Sequence, residues 1–268
     1  MSTVVFVHAH PDDEGTGTAG TMVRLVREGH RVVVVYATGG ECGSVPDDLR
    51  ADESLTMRRQ AEAERSAEVT GVQRLIWLGY VDSGMTGWEQ NAADRAFGRV
   101  DVDEAAELIA TKLADETVDV LVGYDWHGGY GHPDHVMVHR ATLRARDLLP
   151  RAPRYLESTM NRDRMRAMYE MAKQMADPGA DPEMFDPDAP ADDGNPFGTP
   201  AAEIDWEVDI AEAVATKRKA LESHASQGDV QQILSMPEEI FAHAFGREYF
   251  VEPGLGQDMQ TGWPFTSD

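Results

Sequence analysis

The sequence predicts an α/β protein: a doubly wound, mostly parallel sheet flanked by helices. Two observations carry this. Continuous apolar runs recur along the first half of the chain, as strands buried on both faces require. Between them lie stretches with helical periodicity, several closed by glycine, so strand and helix alternate as βαβ units do. The first run is Val4 to Val7. "RVVVVYAT" (31–38), "RLIWLG" (74–79) and "DVLVGYD" (119–125) follow. The helical patterns cover 18–28 before Gly29, 52–70 before Gly71, 102–116 and 133–149.

Beyond Pro150 the pattern loosens. "RYLEST" reads as a further strand, 161–175 as a helix, "IDWEVDI" as a strand, and 211–227 and 237–245 as helices. Residues 177–200 hold seven acidic residues and six prolines with no Lys or Arg. Such a composition suits an exposed loop, passive or acting as a lid. The expected organisation is a Rossmann-like core over 1–150, with 151–268 a smaller α/β extension completing the same domain.

Composition excludes several classes. Acidic residues number 48 against 24 basic, a formal charge of −24, so a nucleic-acid backbone would be repelled over most of the surface. No run approaches the roughly 20 apolar residues of a membrane helix. The single cysteine, Cys42, allows no intramolecular disulfide, and "MSTVVFVHAHPDDE" lacks the pattern of a signal peptide. The expectation is a cytoplasmic protein with a small-molecule substrate; homo-oligomerisation is left open.

"HAHPDDEGTGTAG" (8–20) poses the functional question, because metal-type ligands run directly into a G-x-G-x-x-G at Gly15, Gly17 and Gly20. In a dinucleotide site the glycines follow the strand at once, and an acid about 20 positions on takes the ribose hydroxyls. Here "HAHPDDE" intervenes, and the second strand ends in "VYATGGE". A nucleotide-dependent oxidoreductase is disfavoured, and the glycines are expected to let the first helix pack closely. A metal site explains more. His10, Asp12, Asp13 and Glu14 cluster on a strand-to-helix turn, and imidazole with carboxylate is a first shell for Zn²⁺ or a related divalent ion. A second turn, after the fourth apolar run, gathers His127, His132, His135 and His139. Both turns fall at strand carboxyl ends, where ligands of such sheets bind.

"HAHPDDE", "TGGECG", "RRQAE", "YVDSGM", "GGYGHPDH" and "KRKALESHASQ" together resemble the LmbE-like, or PIG-L, zinc-dependent N-acetylglucosaminyl deacetylases. The likeness spans most of 4–140 and 217–227, and is strongest to the branch acting in mycothiol metabolism, whose substrate is an amino sugar linked to inositol. The resemblance implies that His10, Asp13 and His135 hold the metal, zinc or, in a reducing cytoplasm, iron. It implies Asp12 as general base and Tyr130 against the oxyanion. His132 would stabilise that oxyanion, or protonate the departing nitrogen, as an imidazolium. Asp134 is expected to orient a histidine ring. Glu41, Arg59 and Asp82 correspond to residues binding sugar hydroxyls. His224 matches a recurring C-terminal signature, with a structural role and a place in the pocket both left open. Plainer roles compete: Asp12 as a helix cap, and Arg59 on a solvated face with Glu62 and Glu64. Gly17 stands where amidases acting on mycothiol conjugates carry lysine, which disfavours that alternative; a non-catalytic sugar-binding relative is the other.

Overall fold

The computed structural model describes residues 1–175 and 186–265. Five parallel strands form the centre of the sheet: β1 (Thr3–His8), β2 (Arg31–Thr38), β3 (Arg74–Tyr80), β4 (Val120–Tyr124) and β5 (Arg154–Thr159). With β6 (Trp206–Asp209), β7 (Arg247–Val251) and β8 (Gln260–Thr261), the sheet order is β3-β2-β1-β4-β5-β7-β6-β8. Strand β7 is antiparallel to both β5 and β6, so the expected mostly parallel α/β sheet is present with a mixed edge.

The apolar runs are continuous because both strand faces are covered. Val5, Val7, Val33 and Val35 pack with α4 (Val102–Lys112) and α5 (Pro133–Leu148). The alternate residues Val4, Phe6, Val32 and Val34 face α2 (Ala19–Arg27) and α3 (Leu55–Thr70). Fully burying each such side chain is worth about 1.5–3 kcal/mol, so a polar residue would be costly on either face. A short α1 (Asp13–Gly17) precedes α2, and the glycine-rich stretch serves packing. A Cβ on Gly20 would lie 2.6 Å from Ile210 Cδ1, and one on Gly15 2.8 Å from Leu221 Cδ1.

The C-terminal third is tied into this core. Glu248 of β7 accepts the amide N–H groups of Gly20 and Thr21 at the start of α2, and pairs with Lys217 at 2.7 Å, both side chains buried. Lys217 lies on α7 (Val214–Glu222), the shortened form of the helix expected over 211–227; α8 (Gly228–Leu234) follows after a turn. A helix over Arg162–Met175 (α6) and one over Glu238–Phe245 (α9) agree with the sequence reading. Of the loop expected at 177–200, residues 177–185 lie outside the described residues. The remainder packs on the second histidine turn: Gly198 N donates to Gly129 O, and Asp192 N to Tyr130 O.

Candidate metal centre

Strand order reverses between β1 and β4, whose connections leave on opposite sides, so a crevice opens beyond their carboxyl ends. The two histidine-bearing turns meet there. After β1, Pro11 leads into Asp12, whose backbone is left-handed (φ 108°), a strained state for a residue with a Cβ. After β4 the chain doubles back so tightly that a Cβ on Gly128 (φ 65°) would lie 2.2 Å from His135 Cβ. That approach lets Gly128 O accept a hydrogen bond from His135 Nδ1 at 3.0 Å.

Hydrogen bonding fixes the ring polarities. His135 gives its Nδ1 proton to Gly128 O, and in a neutral ring the Nε2 lone pair would lie 3.3 Å from Asp13 Oδ1. His10 points Nε2 at Asp134 Oδ2 (3.2 Å) and Asp82 Oδ1 (3.5 Å), so Nε2 carries a proton and Nδ1 faces Asp13 Oδ2 at 3.6 Å. The Asp13 carboxylate is held in turn by the His10 amide N–H, 2.7 Å from Oδ2. Two imidazole nitrogens thus converge on one carboxylate. With neutral rings these would be lone pairs facing oxygens, which a cation between them relieves; the donor set fits a divalent metal.

His132 caps α5: its Nδ1 accepts the Asp134 amide N–H at 3.1 Å. In a neutral ring this places the proton on Nε2. Ligand-type atoms of His10, His132 and His135 lie within 4.8 Å of one another, but the bond at Nδ1 makes His132 a donor toward the cavity rather than a lone pair. Burial pushes its pKa down to about 3, with His10 and His135 adding to the effect, so the ring is neutral here. This burial disfavours the imidazolium that the resemblance implies.

Asp12 does not cap α1; its carboxylate accepts from Arg59 Nη2 at 2.9 Å. Burial raises its pKa to about 7, opposed by the Arg59 guanidinium and reinforced by Asp13. Tyr130 Oη lies 3.4 Å from His135 Nε2, and burial, then Asp13, keeps the phenol protonated by raising its pKa well above 10. Burial opposes charge on His10 and Asp13 alike, yet their neighbours prevail. Asp82 and Asp134 raise His10 well above its usual value, and His135 with His10 holds Asp13 well below.

Of the remaining expected residues, Arg59 and Asp82 line the cavity over this cluster, whereas Asp134 and Glu41 do not. Asp134 is fully buried, accepting from Ser83 N (3.0 Å), Ser83 Oγ (2.5 Å) and Gly98 N (2.9 Å) besides facing His10. It faces His10 from behind and does not line the cavity. Arg59 is no solvated residue: it is buried, and also donates to Pro11 O and Gly40 O. Glu41 is spent on the Asp82 amide N–H and the Thr56 hydroxyl, and does not line the cavity. Asp82 accepts from Cys42 N and Gly84 N and faces His10. His127 and His139 turn away, toward Gly198 O and Tyr124 O.

The cavity over this cluster has a volume of about 260 Å³. Its walls include Ser44, Met85, Trp88, Gln227 and Asp229, besides Asp12, Asp13, Arg59, Tyr130 and His132. Sequence reasoning did not single out those first five, because nothing local distinguishes a cavity wall from any other loop residue.

Fold and site together define an α/β protein built around a histidine and carboxylate metal-type centre at its topological switch point. The model of the PIG-L family, GlcNAc-PI de-N-acetylase, matches residues 5–146, and the chain belongs to that family. A 1D-myo-inositol 2-acetamido-2-deoxy-alpha-D-glucopyranoside deacetylase of Nocardiopsis dassonvillei is 35% identical over 265 residues, covering 92% of each chain. The enzyme of the same name from Thermobifida fusca is 36% identical over 278 residues, covering 95% of this chain and 96% of its own. Among solved structures, N,N'-diacetylchitobiose deacetylase from Pyrococcus horikoshii superposes with a TM-score of 0.58 at 21% identity, over 93% of this chain and 82% of that one, a likeness of fold.

Proposed function

We propose that the protein is a metal-dependent hydrolase that removes the acetyl group from an N-acetylglucosamine linked to inositol. The observation that carries this is the convergence of His10 Nδ1 and His135 Nε2 on the Asp13 carboxylate beside the separately held carboxyl of Asp12. The names of the relatives support the substrate. His10, Asp13 and His135 would hold the cation, zinc in this reading with iron the alternative. Once bound, it supplies Lewis acidity toward the amide carbonyl and the attacking water.

Arg59 steadies Asp12 at the mouth of the cavity, where the carboxylate takes the proton of the attacking water. Burial, which raises this carboxyl above its ordinary range, suits it to take a proton and to return it to the departing amine. Tyr130 O–H and the neutral His132 Nε2–H act as donors to the oxygen on which negative charge develops. Both are pre-set: Tyr130 by its covered phenol, His132 by the amide that fixes its tautomer. Asp134 keeps the His10 lone pair turned inward. The presence of base and both donors disfavours a sugar-binding relative without turnover. Gly17 supplies no cation to the site, which disfavours amidase action on mycothiol conjugates.

The test is amine release from N-acetylglucosamine, its inositol conjugate, chitooligosaccharides and a lipid-linked sugar, with zinc-loaded, iron-loaded and chelator-treated protein. The inositol conjugate should be hydrolysed fastest, and only by metal-loaded protein. Amine release that survives complete metal removal, or none from any substrate, overturns the reading.

A further inference from the structure

The first turn contains one more buried acid that the chemistry above does not use. Glu14 and His224 are almost fully buried and line no part of the cavity. Their side chains meet at 2.6 Å, His224 Nε2 to Glu14 Oε1, although 210 positions separate them in the chain. Ser66 of α3 donates to the same oxygen at 2.7 Å. The other carboxylate oxygen, Oε2, accepts the backbone N–H of Asp12 at 3.1 Å. Asp12 is one of only two non-glycine residues at positive φ among the described residues.

The segment bearing His224 is itself pinned. Ser226 donates through its amide and hydroxyl to Glu62 of α3, and Gln227 bonds both the amide and the carbonyl of Ser44 on the cavity wall. The turn between α7 and α8 is therefore a strut joining α1, α3 and the wall of the site. A carboxylate with two donors on one oxygen has little freedom to turn, so its second oxygen presents a fixed acceptor to the Asp12 amide.

The geometry points to the Glu14–His224 pair as a positioning device for the base: it holds the left-handed backbone that presents the Asp12 carboxyl to the cavity. This rests on Asp12 being the base. Neither residue touches substrate, so both act through Asp12, and their loss should be invisible once Asp12 can no longer accept a proton.

A double-mutant cycle reads this directly. His224→Leu should lower kcat 10- to 100-fold, leave KM within about twofold and keep one bound cation per chain. In an Asp12→Asn background the same substitution should have no further effect. His224→Gln, whose side-chain amide can still donate to Glu14, should recover most of the loss and serves where the leucine variant does not fold. Equal fold-losses in the two backgrounds, or loss of the cation, would overturn the assignment in favour of a general packing role. A second readout needs no substrate: exchange of the Asp12 amide proton, followed by NMR in the metal-loaded full chain. It should quicken at least tenfold in His224→Leu, and unchanged exchange overturns the proposal. If the parent hydrolyses none of the amides while exchange behaves as expected, the proposed reaction fails and the positioning pair stands.

Discussion

Asp134→Asn separates what a buried carboxylate does for the fold from what it does for the metal centre. In the parent, Oδ1 accepts from Ser83 Oγ and Gly98 N, and Oδ2 from Ser83 N and His10 Nε2. The asparagine must place its NH₂ at one of these positions. At Oδ2 it would confront two N–H donors. At Oδ1 the Ser83 hydroxyl can rotate to accept from it, and Gly98 N keeps its 2.8 Å bond to Ser83 Oγ. The second arrangement is cheaper and leaves one close approach between donors, worth about 1–3 kcal/mol. At roughly 2–4 °C per kcal/mol for a domain of this size, Tm should fall by a few degrees to about ten.

His10 keeps an acceptor for its Nε2 proton in this arrangement but loses the charge behind it. Cation affinity should therefore fall toward the lower end of the 10- to 100-fold range typical of such partners, about 1.4 kcal/mol. Titration against a chromophoric chelator measures the affinity and calorimetry the Tm. Ser83→Ala is the control, since it removes hydroxyl bonds but leaves the charge: it should lose stability and keep affinity. Cation binding by Asp134→Asn within twofold of the parent would refute the role given to this carboxylate.

Four further outcomes are expected. Asp12→Asn should retain the cation yet lose about 10²- to 10⁴-fold in hydrolysis, the range for a general base, measured as kcat at saturating substrate. In metal-free protein the Asp12 carboxyl sits near 7 against an ordinary 3.8, so the folded state binds its proton more tightly and stability declines as pH rises between those values. The same variant, with metal removed, should therefore melt higher than the parent above pH 7 and alike near pH 3; the opposite order at high pH would contradict the burial of that charge. His135→Ala should remove a ligand, so that added zinc, which at 100 times its Kd raises parent stability by about 2.7 kcal/mol, no longer shifts its Tm. Gly20→Ala forces a methyl group against Ile210 and should cost about 1–3 kcal/mol by denaturant titration, with part recovered in an Ile210→Ala background.

The central parallel strands were legible in the sequence because burial on both faces leaves an unbroken apolar run, and the helices between them because one face of each meets the sheet. Strands β7 and β8 were not: "REYFV" is short with charged residues at its start, and the final pair covers only Gln260–Thr261. Of the helix expected at 211–227, the end is a turn whose His224, Ser226 and Gln227 find partners on other elements.

At the site, residue types and spacing by themselves determined the chemistry on offer, two histidine-bearing turns at strand ends with carboxylates between. Only the tertiary structure decided which histidines meet. His10 and His135 share Asp13 because β1 and β4 are neighbours, whereas His127 and His139 leave on other faces of the same turn and helix. It also decided that Asp12 is braced rather than capping, that Asp134 lies behind His10, and that Glu41 is turned toward Asp82 and Thr56. Sequence records which groups a chain owns. The direction of a lone pair depends on the partner at the ring's other nitrogen, and that partner is supplied by elements distant in the chain.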